Sequence, residues 1–132
     1  MTKTKKAYIP SKIELEGLLS ITKEDSIQRW AMLHFSYFAG LRSMEIASLS
    51  IEDIFQGNEL KGMAQLPTKG GGTRRITLVD KKLRSAISTF YEVQNLSAKP
   101  MTAPLFTNPS GGRFTPNAVV KQFVKMYQKA NL

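Results

Sequence analysis

Apolar residues recur at helical spacing on both sides of a short central stretch that reads as strand. Pro10-Ser11-Lys12-Ile13-Glu14 has the form of a helix start: Ser11 can cap, and Glu14 can close a capping box. Ile13, Leu15, Leu18 and Leu19 then predict a helix to about residue 20. A second helix, with Thr22 or Asp25 as its cap, carries Ile27, Trp30, Ala31, Phe35 and Phe38, with Leu33 and Tyr37 on the adjacent face. So wide an apolar surface predicts burial on most sides. Gly40 ends or bends it, and a short third helix follows with Arg42, Glu45, Ile46 and Leu49 on one side.

The period changes after residue 50. Residues 51–55 predict a short strand, and Gly57-Asn58 a turn. Leu60 to Leu66 and Thr73 to Val79 flank a Gly-rich tip and predict a hairpin. Asp80 is placed to cap an amphipathic helix through Leu83, Ala86, Ile87, Phe90 and Tyr91. Residues 95–104 read as a connector, Leu105-Phe106 as an apolar anchor, and 108–112 as a turn. Thr115-Pro116 starts a last helix with Val119, Phe123, Met126, Tyr127 and Ala130 as its stripe. The expected fold is α+β, mainly α, with helices packed around a small three-stranded antiparallel sheet. Residues 1–9 read as a flexible basic lead-in and 10–132 as one domain.

Composition narrows the function. Nineteen Lys and Arg against ten Asp and Glu give a net charge of +9 over 132 residues, which predicts attraction to polyanions, above all nucleic acid. The absence of cysteine excludes disulfides, thiol nucleophiles and Cys-based zinc sites. The single histidine, His34, lies on an apolar helix and is expected to be a packed core residue. No metal and no cofactor is expected. No apolar run approaches a membrane span, so the expectation is a cytoplasmic protein without a membrane partner.

Two clusters carry candidate chemistry. In Gly40-Leu41-Arg42-Ser43-Met44-Glu45 a cation follows the glycine that ends an apolar helix. In Thr68-Lys69-Gly70-Gly71-Gly72-Thr73-Arg74-Arg75 a lysine sits at a hairpin tip, 27 residues after Arg42. With the later Asp53-Ile54, Leu105-Phe106 and Gly111-Gly112, this ordered set resembles the catalytic domain of tyrosine recombinases, the phage integrase family. The first cluster matches that family's Gly-Leu-Arg-x-x-Glu motif without a gap.

The resemblance implies that Arg42 is the first catalytic arginine, that Lys69 protonates the leaving 5′-oxygen, and that Glu45 orients Arg42 or packs the site. It implies double-stranded DNA as partner, with Arg42, Lys69, Arg74 and Arg75 as contacts. Lys3, Lys5, Lys6, Lys121, Lys125 and Lys129 are further candidates for non-specific phosphate contact. The family continues with a His-x-x-Arg box, a His or Trp and the tyrosine nucleophile, none of which finds a match before Leu132. Tyr127, on the last helical stripe, is expected to pack. The expected function is therefore that of a DNA-binding fragment of a site-specific tyrosine recombinase, unable to cleave DNA alone. The alternative is a protein-interaction remnant that pairs with an intact recombinase and modulates it. A partial domain also predicts an exposed apolar patch or self-association.

Overall fold

The computed structural model describes residues 10–68 and 70–132. The lead-in of residues 1–9 and Lys69 lie outside the described residues.

The first helix, α1 (Lys12–Asp25), starts where the sequence indicates. Glu14 N donates to Ser11 Oγ (3.2 Å) and Ser11 N donates to Glu14 Oε1 (2.9 Å), closing the capping box. It runs a full turn beyond residue 20, because no breaker interrupts residues 21–25 and Thr22 is buried with Leu18. Neither Asp25 nor Thr22 caps the next helix. Extended Ser26 (φ −159°) donates its N–H to Thr22 O, ending α1, while its Oγ accepts from Arg29 N, starting α2 (Ile27–Ala39). One residue thus closes one helix and opens the next.

Helix α2 is the spine: Trp30 through Phe35 are all buried. It packs against α1, α5 (Lys81–Val93), α3 (Ser43–Ser48) and α6 (Pro116–Lys129). Gly40 ends it in the left-handed region at φ 68°, a conformation that costs glycine little, and Leu41 N donates back to Phe35 O (3.1 Å). Asp80 caps α5 through Leu83 N, and Thr115 caps α6 through Ala118 N, both as the sequence predicts. Leu105-Phe106 is the expected anchor, with Phe106 packed against Phe35 and Phe90 at ring distances of 5.9 and 5.3 Å.

The strand region departs from expectation in two ways. Residues 51–54 form one helical turn, α4 (Ile51–Ile54), and not a strand: Ile51 and Ile54 are buried at a spacing of three, and Asp53 Oδ2 accepts from Ser50 N (2.8 Å). The mainly helical α+β class stands, but its sheet is two separate antiparallel ribbons and not one three-stranded sheet. β1 (Phe55–Gln56) pairs with β2 (Glu59–Leu60), and β3 (Met63–Pro67) with β4 (Thr73–Thr77). The segment read as a single strand from Leu60 to Leu66 divides at Lys61-Gly62, where Lys61 N donates to Ile54 O and Gly62 O accepts from Leu78 N. Those two bonds turn the chain from one ribbon into the other. Ala64, Leu66 and Ile76 face the core, while Met63, Gln65 and Arg75 face out.

Two arginines tie the loops together. Arg84 donates to the carbonyls of Leu78 (2.7 Å) and Lys61 (2.9 Å). Arg113 donates to the carbonyls of Ala47 and Leu49 and to Ser50 Oγ, holding the α3–α4 junction against the turn before α6. Val120 and Val124, one turn apart on α6, are exposed, as are Val79, Val93 and Ile13.

Removing the Arg113 clamp leaves helix-end carbonyls without their charged donor. Arg113→Ala is expected to lower unfolding stability by about 2 kcal/mol. Urea denaturation checks this: the midpoint should fall with an unchanged slope, and Arg113→Lys should recover only part of the loss because one ammonium does not span three acceptors.

Candidate phosphate-binding corner

The site grows from the left-handed turn at Gly40. This turn sends the chain sideways, so Leu41 enters the core and Arg42, extended at φ −85° and ψ 162°, stands at the entrance to α3 with its side chain exposed. The Arg42 backbone N–H donates to Glu45 Oε1 (2.9 Å). Its guanidinium makes no hydrogen bond or ion pair among the described residues, so its five donors are uncommitted there.

Glu45 lies underneath, only 2% exposed. Arg74 on β4 satisfies it in a fork: Nε donates to Oε2 (2.8 Å) and Nη2 to Oε1 (3.1 Å). Arg74 Nη2 also donates to Gly40 O (2.7 Å). One guanidinium thus joins the hairpin, the carboxylate under Arg42 and the glycine before it. The hydrogen bond from Arg74 holds the Glu45 carboxyl below its ordinary range, overcoming burial, which raises it; the Arg42 amide and both guanidinium charges add to the lowering. Reciprocally, Glu45 raises Arg74 above the usual guanidinium range.

The two hairpin arginines are therefore unlike. Arg74 points inward with its side chain 34% exposed and committed to Glu45, whereas Arg75, on the opposite face of β4, is exposed. Among the sequence candidates the structure unites Arg42, Glu45 and Arg74. Lys69 lies outside the described residues, as do Lys3, Lys5 and Lys6. Lys121 and Lys125 are exposed on α6, but Lys129 pairs with Asp25 (3.0 Å). Asp53-Ile54, part of the motif pattern, is structural: the Asp53 carboxylate accepts from the N–H of Ser50, the cap of α4, and Ile54 is core.

Tyr127 hydrogen-bonds through its hydroxyl to that of Tyr37, and Tyr91 donates to Asn58 Oδ1 (2.8 Å). His34 is buried, as expected, with Nδ1 against Trp30 O. The clamp by Arg113 escaped sequence reasoning, because an arginine next to a Gly-Gly turn reads as solvated until the carbonyls of residues 47 and 49 are brought to it. No cluster of metal-ligating side chains occurs among the described residues, and no helix there is long and apolar enough to cross a membrane.

Comparison with known proteins gives a consistent result. The phage integrase family model matches residues 11–132. The chain is 35% identical over 89 residues to the tyrosine recombinase XerC of Pseudomonas fluorescens, covering 67% of this chain and 28% of that protein. It is 28% identical over 121 residues to XerC of Actinobacillus succinogenes, covering 87% of this chain and 39% of that one. The fold matches the crystal structure of XerA recombinase with a TM-score of 0.76 at 19% identity, over 98% of this chain and 45% of that one. It also matches lambda integrase bound to DNA with a TM-score of 0.67 at 12% identity, over 96% of this chain and 45% of that one. The chain therefore spans less than half the length of these relatives.

The corner makes a pH-dependent contribution of definite sign. Because the Glu45 carboxyl titrates lower when folded than when unfolded, its stabilisation is complete above the ordinary carboxylate range and is lost as pH falls through its folded value. Glu45→Gln is expected to be less stable than the parent at pH 7, with the gap closing on acidification below that range. Paired thermal melts across pH check this, and a gap that stays constant would rule out an ionised Glu45. Arg74→Ala strands the buried Glu45 carboxylate and is expected to cost about 2–3 kcal/mol in the same melts at pH 7, below the full cost of breaking a buried pair because the Arg74 side chain is 34% exposed.

Proposed function

Because this chain belongs to the phage integrase family, we propose that it is the DNA-gripping portion of a tyrosine recombinase catalytic domain serving site-specific recombination. The observation that carries this reading is the exposed Arg42 guanidinium on a corner locked from below by Glu45 and Arg74. A planar fork grips two phosphate oxygens together, and a charge fixed in place before the reaction needs no reorganisation as negative charge builds on the phosphate. Arg42 is read as the catalytic cation, Glu45 and Arg74 as its positioning residues, and Arg75 as a phosphate contact. Lys69 is read, by its match to the family's hairpin lysine, as the acid that protonates the leaving 5′-oxygen. Duplex DNA is the partner.

Residues 1–132 by themselves are read as unable to break a strand. A phosphotyrosine bond requires a placed tyrosine, and Tyr127 and Tyr91 are engaged elsewhere. The sequence holds one histidine, which is buried on α2. The excess of 19 cations over 10 anions supports duplex affinity.

Fluorescence anisotropy of a labelled duplex over a salt series tests the reading. Binding should weaken steeply with salt, and Arg42→Ala should weaken it at every salt concentration and reduce the logarithmic slope by about 1. Unchanged far-UV circular dichroism would separate lost contact from lost fold. Absence of binding at low salt by both proteins would overturn the reading. Pairing with an intact recombinase would then take its place, with the exposed Val120 and Val124 of α6 as the surface to mutate.

A further inference from the structure

A second cationic feature lies away from the Arg42 corner, between the middle of α2 and the first turn of α5. Trp30, His34, Lys81, Lys82, Ser85 and Ala86 line a recess of about 320 Å³ there. Lys23, from α1, stands over the Trp30 ring at 4.8 Å. Two lysines thus line the recess and a third stands over its Trp30 ring, while Asp80, the carboxylate whose charge reaches His34, already accepts from Leu83 N (2.9 Å) as the cap of α5. The amides of Lys81 and Lys82 open the helix and have no intrahelical acceptor.

An independent observation comes from the floor of the recess. His34 is only 5% exposed. Its Nδ1 lies 2.8 Å from Trp30 O, and since a carbonyl only accepts, Nδ1 carries the proton. The ring is wedged edge-on to Trp30 and stacked on Phe38. Nε2 is left with no hydrogen-bond partner among the described residues, and His34 lines the recess together with the two lysines. A buried nitrogen without a partner is costly unless something else completes it.

We propose that this recess is a second phosphate-binding site, in which Lys81, Lys82 and the His34 Nε2 hold a backbone phosphate of the duplex; the proposal rests on the DNA-binding reading above. His34 lies five residues, about 8 Å of helix, before the end of α2, where the Arg42 corner begins. A phosphodiester has no proton to give, so Nε2 must acquire one to donate. In the free protein burial holds His34 below its ordinary range, with Lys23 and Lys82 lowering it further, while the Trp30 carbonyl and Asp80 oppose them. An arriving phosphate adds negative charge and favours the imidazolium. Binding therefore takes up a proton at His34, and affinity falls as pH rises through the titration of the bound state.

As the chain's only histidine, His34 has an unambiguous NMR signal. The test follows its Cε1–Hε1 resonance against pH in the free protein, with a short duplex and with inorganic phosphate, in the parent and in Lys81→Gln/Lys82→Gln. Both lysines are exposed, so the double variant should fold. The expected result is an upward move of the His34 midpoint on adding duplex, abolished in the double variant, whose anisotropy salt slope also drops by about 2. Duplex binding that leaves the His34 midpoint unmoved overturns the second site while leaving the DNA-binding reading intact. A shift with inorganic phosphate but not with duplex also overturns it, making the recess a small-anion site. No duplex binding by either protein overturns both.

Discussion

A carboxylate buried without a partner would be intolerable, and that constraint organises the centre of this molecule. Glu45 is sealed beneath the corner between α2 and α3, and Arg74 on a hairpin 29 residues later makes its burial possible. The same guanidinium holds the carbonyl of Gly40, and the same carboxylate holds the amide of Arg42. Ribbon, corner and exposed cation are thereby placed in one rigid relation. Such a pair adds little net stability over an apolar contact of equal volume, since desolvation consumes much of the attraction. Its directional bonds instead select one arrangement of the backbone that presents Arg42.

Arginine use shows the same logic across the chain. Of the six arginines, Arg29, Arg74, Arg84 and Arg113 bond to carboxylates, amide oxygens, a hydroxyl or backbone carbonyls of the protein itself. Their planar, multi-donor heads suit loops that meet at several acceptors. Arg42 and Arg75 alone remain turned outward without such bonds among the described residues, and the other outward cations are lysines. Net charge therefore overstates the surface offered to a polyanion, and the position of each cation matters more than the sum.

What could be read from the chain was whatever depends on near neighbours. The capping box at Ser11 and Glu14, the caps Asp80 and Thr115, the left-handed stop at Gly40 and the inward stripe of α6 each involve residues within a turn or so of one another. The ordered motifs around Arg42 were legible for the same reason, and they led to the family that the comparisons then showed. Misreadings arose where local signals compete. Ile51 and Ile54 suit a strand by residue type, but the Ser50–Asp53 capping bond and burial at a spacing of three make them a helical turn. Lys61-Gly62 carries too little signal to show that a strand breaks there.

The sequence by itself determined the mainly helical class, the position of each major helix and the identity of Arg42 as the candidate cation, because periodicity and capping are set by bonds spanning three or four residues. Tertiary structure alone decided that Arg74 looks inward and Arg75 outward, that Arg113 grips residues 47–50, and that His34 meets Lys81 and Lys82 across a recess. Those partners lie 29 to 66 residues apart in the chain. Their meeting depends on how α2, α5 and the hairpin pack, a property of the whole core that no local window contains.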